Sequence, residues 1–256
     1  MAGAGPFDLS GRTALVTGCS RGIGAAIAGA LADAGADIIG VSRLAPSGDH
    51  NVEALVRAAG RDFTHYPCDL GCRDAIKTLL GELETDRRQI DILVNNAGII
   101  RRSPAAQHSD ADWDDVLAVN LTAPFILSRE LGGKMLARGC GKIVFVASVL
   151  SLQGGIAVPG YAASKSAVAN LAKALANEWA GSGVNVNAVA PGYVATQNTA
   201  ALQEDETRAA GILYQTPAGR WGRPADIAGP VVFLASSAAD WVHGTTLAAD
   251  GGWLGR

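Results

Sequence analysis

Tyr161 and Lys165 stand four residues apart, a spacing that puts both side chains on one face of a helix. A phenol beside an ammonium is a proton-transfer pair. The reference phenol pKa of about 10 is too high for use near neutrality, and an adjacent cation favours the phenolate. Ser148 lies thirteen residues before Tyr161. Far upstream, Thr17-Gly18-Cys19-Ser20-Arg21-Gly22-Ile23-Gly24 places three glycines where a strand gives way to a helix. The first glycine permits a tight turn. The others let backbone approach a pyrophosphate and let the helix pack closely on the sheet. The helix N-terminus adds free N–H groups and a positive dipole. No Gly-Lys-Ser/Thr follows, so the turn is not a P-loop.

These residues need a frame that gathers them. Short β-rich runs at 12–17, 37–42, 62–66, 90–94, 142–147, 184–189 and 245–249 alternate with helical patterns at 22–34, 51–59, 74–84, 110–138, 161–180 and 224–234. Pro124 inside the long 110–138 stretch predicts a kink or a tight helix pair. Strands separated by helices imply right-handed βαβ crossovers and a parallel sheet. The expected fold is therefore α/β: one doubly wound Rossmann domain spanning 1–256, with a seven-stranded parallel sheet and helices on both faces. The irregular stretch 191–223 is expected to form a substrate lid.

Composition narrows the function classes. The chain has 256 residues, 48% hydrophobic and 18% charged, which excludes disorder. Its net charge of −3 argues against nucleic acid as a partner. Glycine occurs 32 times without a Gly-X-Y period, so the glycines belong to turns rather than to collagen. Cys19, Cys68, Cys72 and Cys140 are too few and too irregular for a disulfide framework, and no histidine cluster completes a metal site. Residues 1–8 show no secretory pattern, and the long uncharged stretches are broken by Gly, Pro, Asn, Gln and Ser. The expectation is a cytoplasmic protein without a membrane span.

The spacing TGxxxGIG, rather than GxGxxG, resembles that of the short-chain dehydrogenase/reductase family. Asn95-Asn96-Ala97-Gly98, Asn120, Ser148, Tyr161-Ala162-Ala163-Ser164-Lys165 and Pro191-Gly192 follow in that family's order along the whole chain. The resemblance implies that Tyr161 is the general acid/base and that Lys165 also holds the nicotinamide ribose. Ser148 is then the hydrogen-bond partner of the substrate oxygen, and Asn120 holds a water in a proton relay. It implies cofactor contacts from Gly18, Ser20, Arg21, Gly22, Ile23, Gly24, Asp69, Leu70, Asn95, Ala97, Gly98, Tyr161, Lys165, Pro191, Gly192, Val194 and Thr196, and a homotetramer.

The ribose selector falls at the end of the second strand, which reads Val41-Ser42-Arg43 without a carboxylate. Asp37 sits at the other end of that strand. Arg43 and Arg21, with a hydroxyl from Ser42, suit a 2′-phosphate, which favours NADP over NAD. The segments 98–102 (GIIRR), 151–155 (SLQGG), 191–196 (PGYVAT), 217–222 (PAGRWG) and 250–253 (DGGW) resemble the sugar-acid branch of the family, which includes gluconate 5-dehydrogenases and 2-dehydro-3-deoxygluconate 5-dehydrogenases. A sugar acid needs a cation for its carboxylate. Arg101 or Arg102 is expected to supply it, Gln153 to bind a hydroxyl, and Arg220 and Trp221 to sit in the lid. The competing functions are a 3-oxoacyl-thioester reductase and a non-catalytic NADP-binding module. The thioester reductase calls for a basic patch at the mouth, where the sequence shows no strong basic run. The binding module calls for a broken Tyr–Lys pair, and here the pair is intact.

Overall fold

The computed structural model describes residues 5–45 and 51–256; of the segment 1–8 used above, residues 1–4 lie outside this range. Seven strands form a single parallel sheet in the order β3-β2-β1-β4-β5-β6-β7. They are β1 (Thr13–Thr17), β2 (Asp37–Ser42), β3 (Phe63–Pro67), β4 (Ile92–Asn95), β5 (Gly141–Val146), β6 (Val184–Pro191) and β7 (Thr246–Ala249). The order reverses between β1 and β4. That switch point opens a crevice beyond the carboxyl ends of the strands, where open α/β sheets bind ligands.

Both sheet faces are covered, and strand periodicity shows how. On β1, Leu15 enters one core, while Ala14 and Val16 enter the other. The Leu15 side packs Leu127 and Met135 of α5 (Ala123–Arg138) and Val168 and Ala172 of α6 (Pro159–Trp179). The opposite side packs Ile27 and Leu31 of α1 (Gly22–Asp33) and Ile227 and Val231 of α9 (Pro224–Ala235). Burying each of the Val, Leu, Ile and Met side chains among these contributes about 1.5–3 kcal/mol. On the β3 flank, α2 (Val52–Ala58) and α3 (Arg73–Thr85) complete the layers.

Two local expectations are refined. The long helical stretch divides into α4 (Asp110–Leu117), a π-helical turn over residues 118–122, and α5, with Pro124 in the first turn of α5. Proline has no N–H, so the wider turn carries the chain past the missing bond without a break. The 191–223 stretch is not irregular throughout. A 3₁₀ turn at Gln197–Thr199 leads into α7 (Ala200–Glu204) and α8 (Glu206–Gln215), the latter capped by the Asp205 side chain. Among the described residues no helix is long and apolar enough to cross a membrane.

Candidate active site

The Gly-rich turn leaves β1 and enters α1 with almost no room to spare. Gly18 has φ +66°, and a Cβ there would meet the Ala97 Cα at 2.9 Å. A Cβ on Gly24 would lie 2.2 Å from the Gly18 carbonyl oxygen and 2.4 Å from Asn96 Nδ2. Asn96 is the brace across the switch point: its Nδ2 donates to the carbonyls of Thr17 and Gly18 at 2.9 and 3.1 Å. The Thr17 hydroxyl accepts from the N–H groups of Asn96 and Ala97, both at 3.0 Å. The turn is thereby fixed in an open cradle at the start of α1, where backbone N–H groups face outward.

Asn95, expected at the cofactor, turns its side chain away from the cradle, which leaves its main chain for that contact. Its side chain enters the core and donates to Ser128 of α5 at 3.1 Å. The reason is the strand period, because Asn95 shares the face of Leu93, which packs in the α5 core. Asn96 was missed; the same period places it at the turn, on the opposite side.

Asn120, 1% exposed in the π turn, ties the loop after β4 to α6. Its Oδ1 accepts from the Ile99 N–H at 2.8 Å. Its Nδ2 donates to the Ile99 carbonyl at 2.9 Å and to the Ser164 hydroxyl at 3.1 Å. Ser164 in turn donates to the Tyr161 carbonyl at 2.8 Å. The side chain is fully engaged. The main-chain carbonyl of Asn120 has no α-helical donor, since residue 124 is proline.

Ser148 follows β5. Its hydroxyl accepts from the Leu150 N–H at 3.1 Å, and its own N–H donates to the Ser151 hydroxyl at 3.2 Å. Ser151 donates onward to the Lys165 carbonyl at 2.7 Å, so the serine loop is indexed to α6. Tyr161 and Lys165 occupy the first two turns of α6, as the spacing predicts. Lys165 is 4% exposed; its Nζ donates to the Val146 carbonyl at 2.6 Å and lies 5.7 Å from the Tyr161 ring centre. Burial lowers its pKa to about 8. In the protein alone burial raises the Tyr161 phenol, while the Ser148 hydroxyl and the Arg102 charge pull it partway back. Desolvation outweighs the nearby charges, and the ammonium is turned toward Val146.

The two arginines after β4 part company. Arg101 is spent on surface ion pairs with Asp112 and Asp115 of α4, both at 3.3 Å, which corrects its assignment to a substrate carboxylate. Arg102 reaches across the mouth and donates to the Asn198 carbonyl at 3.0 Å. Its charge acts on both Tyr161 and Tyr193. Gln153 is exposed, in the loop after Ser148. Arg220 is held by Asp226 of α9 at 2.6 Å. Trp221 packs edge-on against Tyr193, which also contacts Trp253 of the tail with ring centres 4.7 Å apart.

At the β2 end, Arg21 and Arg43 are exposed and form no ion pair among the described residues. Asp37 is occupied by Arg61 at 2.8 Å, at the far end of the strand. The Ser42 hydroxyl is turned inward, donating to the Leu44 carbonyl at 2.7 Å and lying 3.0 Å from His65 Nε2. Ser20 and Ile23 stand in the turn, half-buried. Asp69 is exposed and accepts from the Gly71 N–H at 2.9 Å, beside buried Leu70. From the other side, Thr196 approaches the turn, with Cγ2 3.6 Å from a Cβ built on Gly22. Pro191 ends β6, Gly192 donates its N–H to the Ala249 carbonyl at 3.1 Å, and Val194 is buried. Gly98 lies under Asn120 and Lys165, each 3.4 Å from its added Cβ. A dinucleotide therefore fits: the glycines leave a cradle that side chains at 18 and 24 would fill, and Arg21 and Arg43, exposed and without an ion pair among the described residues, follow the ends of β1 and β2.

The family model described as enoyl-(acyl carrier protein) reductase matches residues 18–254. The 2-dehydro-3-deoxy-D-gluconate 5-dehydrogenase of Pseudoalteromonas atlantica is 59% identical over 250 residues, 98% of each chain. A Beutenbergia cavernae protein crystallised with NADP at low occupancy superposes with a TM-score of 0.93, at 52% identity, covering 98% of this chain and 100% of that one. The gluconate 5-dehydrogenase of Burkholderia cenocepacia, in complex with NADP and tartrate, superposes with a TM-score of 0.91 at 38% identity and 98% coverage of both chains. With the Gly-rich turn, Ser148, Tyr161 and Lys165 gathered at one sheet edge, the chain belongs to the short-chain dehydrogenase/reductase family.

Proposed function

We propose that this chain is an NADP-dependent oxidoreductase that interconverts a secondary alcohol and a ketone at C5 of a six-carbon sugar acid. The observation that carries the chemistry is the convergence of Ser148, Tyr161 and Lys165 beside the glycine cradle at the switch point. The sugar-acid assignment draws on the 59% identical relative and on the position of Arg102 at the mouth.

The glycines at 18, 22 and 24, with Ala97, Gly98, Pro191, Gly192, Val194 and Thr196, hold the cofactor along the sheet edge. Arg21 and Arg43 take the 2′-phosphate, with Asp69 and Leu70 at the adenine end. When bound, the nicotinamide supplies or accepts the hydride. Tyr161 moves the proton at the reacting oxygen, and the Ser148 hydroxyl orients that oxygen. Lys165 adds positive charge beside Tyr161 and holds the ribose. The Asn120 carbonyl, freed by Pro124, holds a relay water. Arg102 binds the carboxylate, several bonds from the reacting carbon, which is why it belongs at the rim. The 191–223 segment closes over the substrate. The enzyme works as a cytoplasmic homotetramer, its tail contributing to contacts between subunits.

The test is kcat/KM with NADP(H) for gluconate and its dehydro-deoxy analogue, against an uncharged sugar and a 3-oxoacyl thioester. Preference for a sugar acid is the expected result. Equal rates for acid and uncharged sugar, or activity on the thioester alone, overturn the substrate assignment and leave the reductase chemistry.

A further inference from the structure

Ser42 ends β2 beside the glycine cradle. The Gly18 N–H donates to the carbonyl of Val41, the residue before it, at 2.7 Å. The strand period puts Gly40 and Ser42 on one face of the sheet, where a Cβ on Gly40 would meet Cys19 Sγ of the cradle at 2.6 Å. His65 of β3 is the register partner of Gly40, and its ring leans along the strand to bring Nε2 within 3.0 Å of Ser42 Oγ. A hydroxyl has one proton. At 2.7 Å from the Leu44 carbonyl, that proton points to Leu44, because a carbonyl only accepts. His65 Nε2 therefore carries a hydrogen and donates it to the Ser42 oxygen. Burial lowers the His65 pKa, so near pH 7 the ring is neutral and this N–H is its only one.

We propose that His65 is a positioning residue for cofactor selection: by donating to the Ser42 oxygen it commits the Ser42 hydroxyl to act as a donor toward a 2′-phosphate. This rests on the NADP reading argued above and deepens it. A ribose 2′-hydroxyl is selected by a group that accepts, a carboxylate at the end of the second strand. A phosphate wants donors. With one side of its oxygen already taken by His65, Ser42 has chiefly its proton to offer. Turning that proton from the Leu44 carbonyl to a phosphate beside Arg43 exchanges a neutral hydrogen bond for a charge-assisted one, while the His65 N–H keeps the oxygen in place. Asp37, the carboxylate of β2, stands at the far end of the strand and is held by Arg61. Selection at this edge thus comes from a pair of side chains on neighbouring strands, and only one of the pair meets the ligand.

The test is calorimetry on the full chain without substrate, with NADP and NAD as probes. Glutamine and asparagine both carry an amide N–H, but only glutamine extends as far as Nε2 of the ring. His65→Gln is expected to hold the NADP Kd within about twofold of wild type. His65→Asn should raise it about fivefold or more, the weight of one hydrogen bond. The NAD Kd should stay unchanged in both, which also shows that the variants fold. Ser42→Ala should weaken NADP similarly, and adding His65→Asn to it should cost little more, because His65 acts through Ser42. Equal losses for the two cofactors in His65→Asn, an NADP Kd within twofold of wild type in that variant, or losses that add in the double variant overturn the role of His65 and leave the NADP reading standing. A wild type that binds NAD as tightly as NADP overturns both.

Discussion

The sheet edge and the mouth above it are built differently. At the edge, Asn120, Ser148 and Lys165 are 1%, 8% and 4% exposed, and hydrogen bonds hold each to a neighbouring element. At the mouth, Arg102 and Gln153 are exposed, and Leu152 and Ile156 present 55% and 87% of their surfaces to solvent. Proton transfer tolerates little misplacement, so its groups are fixed by a rigid scaffold. Recognition of a carboxylate several bonds away can be left to long side chains on loops and short helices. The difference divides chemistry from selectivity. Substitutions of the reacting groups at the edge should strike kcat, and those at the mouth should strike KM.

The largest expected effect is at Tyr161. Tyr161→Phe removes one hydroxyl whose loss the packing tolerates, so folding and cofactor binding should survive. Turnover should fall by about 10²–10⁴. Retention of more than a tenth of wild-type kcat would remove Tyr161 from the acid/base role.

Lys165 sharpens the contrast, because its position favours chemistry at the cost of stability. A lysine held at about pKa 8 in the fold, against the ordinary 10.5, binds fewer protons folded than unfolded between those two values. Stability attributable to this group therefore rises as pH climbs from 8 to 10.5, and below 8 the full penalty remains, about 3 kcal/mol at the upper limit. Lys165→Met should abolish most activity yet raise the Tm of the cofactor-free protein at pH 7. That advantage should shrink above pH 8 and vanish near 10.5. A variant less stable than wild type at pH 7, measured by thermal denaturation across this range, would contradict a penalising buried ammonium.

Gly24→Ala tests whether the cradle is as tight as its contacts imply. The new methyl would press on the Gly18 carbonyl and on Asn96, so a loss of about 2–3 kcal/mol in stability is expected, together with cofactor affinity. A Gly60→Ala control, with no atom within 4 Å of its Cβ but φ +71°, separates backbone strain from crowding.

Arrangement at the edge was legible in the sequence because it rests on short-range rules. The glycine spacing, the Tyr161–Lys165 helical step and the strand–helix alternation each follow from local geometry. What escaped reading were long-range consequences. Tyr161 and Lys165 share a helix face as expected, yet the balance of burial against charge on the phenol depends on how deeply the fold encloses it. Asn96 takes over from Asn95 because β4 alternates faces, a signal that was present and not applied. The reach of Arg102 to the Asn198 carbonyl gave no local sign, since it needs the folded 191–223 segment.

At the β2 end, Arg43→Ala should raise the Kd for NADP by about 10- to 100-fold, the value of a charge-assisted contact of 1.5–3 kcal/mol, and leave NAD within twofold. Equal effects on both cofactors would mean that Arg43 only faces solvent.

The smallest effects, and the finest test of the division, come from the neighbours Arg101 and Arg102. They are consecutive in the chain, both exposed, and equal in charge, so any difference between them arises from direction alone. Arg101 is committed to Asp112 and Asp115 on the surface of α4. Such exposed pairs are worth about 0–1 kcal/mol, and Arg101→Ala should leave kcat and KM for a sugar acid within twofold. Arg102 leans over the mouth toward Asn198, its charge reaching Tyr161 and Tyr193. Arg102→Ala should raise KM severalfold with kcat changed less, because a carboxylate contact distant from the reacting carbon binds substrate and transition state alike. The effect should weaken with added salt and disappear for an uncharged sugar. If Arg101→Ala and Arg102→Ala move KM equally, the mouth acts only as a diffuse positive field, and the geometric separation of selectivity from chemistry fails at its most exposed point.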